Sequence, residues 1–145
     1  MTIKHNIDDD MIKSRARIIY PTFVTSVLQT GSFFNDLIAA RGQEYTAIKR
    51  SWKDQDREAM LKDTGFLYGM KANIVIVPIK GFPMSIPDID VALLARKLAA
   101  YCKKNGCQSV AFARSHWMSL RFAADKYQEL LDGMEKSGIE VHEYE

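Results

Sequence analysis

One stretch restricts the fold of this chain more than any other: Asn73-Ile-Val-Ile-Val-Pro-Ile79, a continuous β-branched run. With successive residues equally apolar, both faces of such a strand must be covered, the pattern of a strand inside a parallel or mixed sheet. Pro78 is expected to end its ladder. A turn-rich loop follows, Lys80-Gly-Phe-Pro-Met-Ser-Ile-Pro87. Asp88 or Asp90 then offers a cap to a helix whose Val91, Leu94, Ala95, Leu98 and Cys102 recur at helical spacing. Lys103 and Lys104 suit the negative end of that helix, and Gly106 suits its C-cap. Cys107 to Ala113 reads as a second buried strand. It leads through Arg114-Ser-His-Trp117 into an amphipathic helix with Leu120, Ala123, Tyr127, Leu130, Leu131 and Met134 inward and Gly138 as its stop. Ile139-Glu-Val-His-Glu-Tyr144 alternates apolar and polar residues, which predicts a strand with one solvated face. Strand, helix, strand, helix, strand is the order of a right-handed α/β layout.

The first half carries weaker signals. Arg17 to Leu28 has the β-rich composition of one or two strands interrupted at Pro21. Phe33 to Ala40 reads as a short helix entered after Gly31. Thr46 to Leu61 is highly charged and reads as an exposed helix or a helix and loop, with Ile48, Trp52, Ala59 and Met60 as inward contacts. Gly65 and Gly69 frame a short strand, Phe66-Leu-Tyr68. With 145 residues, no internal repeat and no low-complexity linker, the chain reads as one α/β domain over residues 1–145.

Charge and composition exclude several function classes. Twenty Lys and Arg against eighteen Asp and Glu leave +2, too little to argue for nucleic acid without a basic cluster. Lys49-Arg50-Ser-Trp-Lys53 is an aromatic among cations, but Asp54, Asp56 and Glu58 follow at once and favour a solvated helical face. Ile74 to Ile79 is far short of a membrane span and the N-terminus is unlike a signal peptide, so a cytoplasmic protein with no membrane partner is the expectation. Cys102 and Cys107, in a helix and at a strand start, predict reduced thiols whose positions argue against contact. With His5, His116 and His142 scattered, no metal site is expected, and Asp8-Asp9-Asp10 reads as solvated surface. No cofactor is indicated.

In open α/β sheets, ligands bind beyond the carboxyl ends of the strands. Gln29 to Phe33, Lys80 to Pro87 and Arg114 to Trp117 are the loops expected there. Thr30, Gly31 and Ser32 can offer backbone donors and hydroxyls to an anion, Arg114 a fork of charge-assisted bonds, and Ser115 an anion contact or a helix cap. His116 beside a helix start could act as a base or a phosphate donor, and Trp117 could stack on a nucleobase. Against each stands a structural role: turn chemistry for the small residues, a Trp sealing helix onto sheet, a solvated His. Ser115 lacks a Gly-x-Ser-x-Gly elbow, so no hydrolase triad is read.

The order of elements and several of these residues resemble a macro domain, the ADP-ribose-binding α/β module. Asp10-Met-Ile12 sits where that family has an adenine-recognising Gly-Asp-Ile turn, without its glycine. Ile18 to Val24 corresponds to the next strand. In Thr25 to Phe34, only Gly31 remains of a glycine-rich phosphate loop, with Phe33 or Phe34 at a position usually held by glycine. Asn73 to Gly81, Ser85, Ile89-Asp90 and the Leu94 to Cys102 helix resemble the family's strand, Ser-loop and long helix. Ala113-Arg114-Ser-His-Trp117 takes the place of Pro-Arg and a second glycine-rich loop, and Gly138 to Glu145 is similar to the terminal strand. The resemblance implies a three-layer α/β/α mixed sheet that binds ADP-ribose or a related nucleotide through Asp10, Thr30, Gly31, Ser32, Phe33, Arg114, Ser115, His116 and Trp117. Missing loop glycines should reshape the cleft. The asparagine linked to the distal ribose is not evident, which argues against robust catalysis.

Two other readings stand beside it. One is a protein-interaction module whose pocket is filled by Phe33, Phe34 and Trp117 and whose Arg41 to Asp63 surface meets a partner. The other is a hydrolase of ADP-ribosyl or phosphate esters with His116 or Asp10 as base. Compactness and few cysteines also fit a small bacteriophage accessory protein acting in the host cytoplasm.

Overall fold

A computed structural model describes residues 2–4, 11–14, 16–26, 36–37, 39–40, 46, 50–65, 67–68 and 73–144. Its strands are β1 (Thr2–Lys4), β2 (Arg17–Phe23), β3 (Leu67–Tyr68), β4 (Ile74–Lys80), β5 (Ser109–Ala113) and β6 (Glu140–Tyr144). They form one six-stranded sheet in the order β1-β6-β5-β2-β4-β3. Every neighbouring pair is parallel except β3 with β4, so the sheet is mixed. The helices with defined bounds are α1 (Arg57–Lys62), α2 (Val91–Lys104), α3 (Arg114–Met118) and α4 (Ala124–Lys136). Residues 11–13, 36–37, 39–40 and 50–54 are also helical.

All of β4 is buried, as its apolar run requires. The alternation of a strand sends Val75, Val77 and Ile79 to one face with Ile19, Val110, Phe112 and Val141, where α2 and α4 cover them. Ile74 and Ile76 go to the other face with Ile18, Ala111, Ala113 and Tyr144, covered by Met11, Ile12, Leu37 and Trp52. Two cores, one on each side of the sheet, make the three-layer α/β/α arrangement.

Neither proline ends its strand. The register with β2 runs through Thr22↔Pro78 and then shifts to Phe23↔Lys80, so β4 absorbs an extra residue just past its proline. Val24 N–H still donates to Lys80 O at 2.9 Å, and Ile18 N–H to Asn73 O at 3.0 Å. By that alternation the nitrogen of Pro21 faces β5, and β5 pairs with β2 only at Arg17 and Ile18. The missing N–H therefore falls where no ladder bond is needed.

The helix ends share one device. Asp90 caps α2 through a 3.0 Å bond from Leu93 N–H. At their carboxyl ends α1, α2, α3 and α4 are each followed by a residue of positive φ: Thr64 (53°), Gly106 (67°), Arg121 (63°) and Gly138 (86°). In each case the next N–H returns to the helix: Gly65 to Met60 O, Cys107 to Cys102 O, Phe122 to Trp117 O and Ile139 to Met134 O. These are Schellman caps, which bring the residue four positions before the left-handed one beside the residue just past it.

Three expectations are corrected here. The stretch after β5 is two helices, because the left-handed Arg121 turns the chain between α3 and α4. The strand β6 has no wholly solvated face: Glu140 is exposed, but Val141, Glu143 and Tyr144 are buried and His142 is half-buried, because Val141 joins the core under α2 and α4 and Tyr144 the core on the opposite face. Within the charged stretch, Ala59 is exposed rather than inward, whereas Trp52 is buried.

On the outer layer α2 and α4 touch closely enough that a Cβ built on Gly133 would stand 2.8 Å from the Ala95 Cβ. Gly133→Val is therefore expected to lower stability by about 1–3 kcal/mol through overpacking. Urea unfolding of the single and double variants checks it: Ala95→Gly should recover part of the loss, whereas purely additive effects would contradict the contact.

Candidate functional site

Among the described strands, the outgoing connections of two parallel neighbours, β2 and β5, diverge from each other. From β2 the chain runs to the edge strand β3 and back to β4, away from β5; from β5 it passes to β6, away from β2. Such a switch point leaves a crevice beyond the carboxyl ends of the two strands, where crossing segments do not cover the edge. Here the two strands part early, pairing only at Arg17↔Val110 and Ile18↔Ala111.

Tyr20 and His116 stand across this opening. Their rings meet edge to face at a centroid distance of 5.1 Å, and both are half-buried. Tyr20 shares the sheet face of Ile18, where β5 contributes only the small Ala111 and Ala113. Ser115, between β5 and His116, is exposed. It does not cap α3, whose start has no side-chain cap bond. The exit of β2 is pinned at Ser26: its carbonyl accepts from Trp52 Nε1 at 2.7 Å and from Arg57, whose guanidinium lies 5.2 Å over the Trp52 ring. Trp52 is thus a structural anchor of the loop entrance rather than an exposed stacking platform for nucleic acid.

Alternation along α3 separates the remaining residues. Arg114 turns toward α4, 5.5 Å over the Tyr127 ring and 3.9 Å from Glu143. Glu143 is itself only 4% exposed, so this contact supplies its countercharge. Trp117 is wholly buried among Phe112, Phe122 and Tyr127, with centroids 5.7, 5.1 and 6.2 Å away. In this arrangement it offers no face to a base and seals α3 onto the sheet. It also does not fill the crevice, contrary to the expectation for a closed pocket. Asp10, Thr30, Gly31, Ser32 and Phe33 lie outside the described residues, as does Phe34.

The loop after β4 forms the neighbouring wall. Ser85 is used within it, its hydroxyl donating to Phe82 O at 2.7 Å and accepting from Phe82 N–H at 3.2 Å. Phe82, Met84 and Ile86 are exposed. Beneath them Lys80 is covered and donates to Pro83 O at 2.8 Å. Burial, and then the Arg121 guanidinium, push its pKa below the ordinary lysine value. Between that lowered value and about 10.4, the unfolded chain binds more protons than the folded one, so this group adds stability as pH rises. Relative to Lys80→Met, the wild-type protein should gain stability over that alkaline window. Denaturant melts at stepped pH check it, and a gain on acidification would contradict it.

No cluster of three metal-ligating side chains exists among the described residues. A recess of about 550 Å³ lies between α2 and α4, lined by Ala92, Arg96, Asp125, Glu129 and Lys136 among others, on the outer layer rather than at the strand ends. Tyr20 and Glu143 were not singled out in the sequence. Tyr20 could have been found two residues beyond Ile18, on the face that the small residues of β5 leave open. Nothing local marks Glu143, whose partner comes from another element.

No protein-family model matches the sequence, and no curated protein does. Among solved structures the chain is similar to the macrodomain of Thermus aquaticus DarG, at TM-score 0.60 and 16% identity over 99% of this chain and 98% of that one. It is similar to the macrodomain of Mycobacterium tuberculosis DarG at TM-score 0.64 and 12% identity, over 99% and 97%. It also resembles Thermosipho africanus DarTG, solved in complex with ADP-ribose, at TM-score 0.60 and 14% identity, over 93% of this chain and 39% of that longer one. None of these likenesses bears on a bacteriophage setting. No helix among the described residues is long and apolar enough to cross a membrane. Strand order, parallel pairing and near-complete overlap with solved structures agree that the chain has the macrodomain fold, in a divergent form.

Proposed function

We propose that the chain binds ADP-ribose or a related nucleotide at the carboxyl-edge crevice between β2 and β5, without robust catalysis. The observation that carries this reading is the early parting of β2 from β5 at the switch point, with Tyr20 and His116 on its walls. The ADP-ribose complex of Thermosipho africanus DarTG, a protein of similar fold, supports the ligand class.

In this reading the Tyr20 and His116 rings supply a flat contact for base or sugar, and Ser115 a hydroxyl for a phosphate. Asp10, Thr30, Gly31, Ser32 and Phe33 are the contributions that the sequence assigns to the same ligand. Arg114 reaches an anion only by leaving Glu143, and Trp117 acts by holding α3 in place. His116→Ala should weaken ADP-ribose binding by about 1–2 kcal/mol, roughly tenfold, with the melting temperature nearly unchanged. Calorimetric titration with ADP-ribose and AMP measures this. Equal affinity in the variant would remove His116 from the site, and no binding by the wild-type protein would remove the ligand. Release of ADP-ribose from a modified substrate would instead move the reading to a hydrolase.

The exposed Phe82, Met84 and Ile86 favour a second reading, a protein partner that docks on this loop. A specific partner lost on changing all three to serine would support it.

A further inference from the structure

The amino edge of the sheet, opposite the crevice, brings the two cysteines together. Cys102 lies in the last turns of α2 and Cys107 just past its end, joined by a 2.8 Å bond from Cys107 N–H to Cys102 O around the left-handed Gly106. A Schellman cap brings these two positions side by side, and a side-chain contact between them commonly accompanies it. The equivalent pair in the cap of α3, Trp117 and Phe122, shows the same closeness, with rings 5.1 Å apart. Both cysteines border one recess, and neither is in a disulfide. The expectation that their positions keep them apart is therefore wrong: five residues of separation across a helix C-cap is a contact distance.

We infer that Cys102 and Cys107 form a thiol modification site, in which a hydroperoxide oxidises Cys107 and Cys102 resolves the product as an intramolecular disulfide. Access and environment divide the roles. Both cysteines border an open recess of about 480 Å³ with Gly106, Gln108, Gly138 and Glu140, but Cys107 is half-buried and Cys102 is fully buried. The groups facing Cys107 are the Cys102 thiol from α2, the Arg17 guanidinium from β2 and the backbone of Ser109 at the start of β5. Arg17 is steadied by a 2.6 Å bond from its Nη1 to the Tyr101 hydroxyl. Lys103 and Glu140 border the same recess. The Cys102 hydrogen bond, with Arg17 adding to it against burial, brings the Cys107 thiol down to about 7. The same bond and burial push Cys102 up, keeping it protonated.

The chemistry balances without a metal or further cofactor. The Cys107 thiolate attacks one peroxide oxygen, the O–O bond breaks, and hydroxide or an alkoxide leaves as the sulfenic acid forms. The Cys102 sulfur then attacks the sulfenic sulfur, the S–S bond forms, and the departing hydroxide takes the Cys102 proton as water. Two electrons pass from the thiols to the peroxide.

Hydrogen peroxide added to the full chain, followed by N-ethylmaleimide and intact-mass measurement, tests the site. The expected product has lost two hydrogens, carries no maleimide, remains monomeric and regains both thiols with dithiothreitol. Cys102→Ala should instead leave Cys107 as a sulfenic acid trapped by dimedone, and Cys107→Ala should leave Cys102 unoxidised. Alkylation of Cys107 by iodoacetamide should rise through about pH 7. Both thiols still labelled after peroxide, a disulfide between chains, or alkylation that begins only near the ordinary thiol value of about 8.5 would overturn the assignment. The wild-type mass measurement stands even if either variant fails to fold.

Discussion

A parallel sheet that is apolar on both faces must be covered on both, and this one demand organises the molecule. The β4 run admits no wet side, so α2 and α4 close one face while the segments bearing Met11, Leu37 and Trp52 close the other. Once both faces are sealed, backbone and polar groups are open to ligands mainly at the strand ends. The two ends are then set apart by topology. At the carboxyl end the connections diverge from β2 and β5 and leave a crevice; at the amino end the turn after α2 folds back and places two thiols side by side.

The second organising feature is how helices stop. Each of α1 to α4 uses a left-handed residue and a returning N–H, and two of them use glycine. Thr64 and Arg121 hold the same conformation with a Cβ, a strained choice compensated by the packing that the cap brings with it. At Arg121 that packing is Trp117 on Phe122, which fixes the angle between α3 and α4 and thereby the loop that carries Ser115 and His116. The buried Trp117 and the crevice are connected in this sense: the indole acts on the site through the helix it holds.

Legibility in the sequence followed the locality of the signals. Strand β4, helix α2 with its Asp90 cap, strand β5 and the inward residues of α4 are each specified by neighbours within a few positions, and all were readable. The solvated face expected of β6 was not, because residues that share the core of Tyr144, Met11 and Ile12 among them, come from the opposite end of the chain. The break between α3 and α4 was hidden because an arginine, not a glycine, takes the left-handed position. Pro78 and Pro21 were read as interruptions because a sequence does not reveal a bulge or the side on which a ladder has already ended. At the candidate site, the loop after β5 was found from its position, but not which residues face which way. Arg114 and His116 diverge because they are two apart at a helix start, and the partners that settle them, Glu143 and Tyr20, are distant in the chain. The cysteine contact had a local sign, Gly106 at the C-cap, which fixes the geometry of the residues on either side of it.

The central claim is that the ligand sits at the carboxyl edge between β2 and β5. The most direct measurement is amide chemical-shift mapping by NMR as ADP-ribose is added to the isotopically labelled protein. The account expects saturable shifts at Tyr20 to Ser26 and Ala113 to His116, with Cys102 to Ser109 and the recess between α2 and α4 unmoved. Shifts confined to that recess, or no saturable shifts at any concentration, would contradict it.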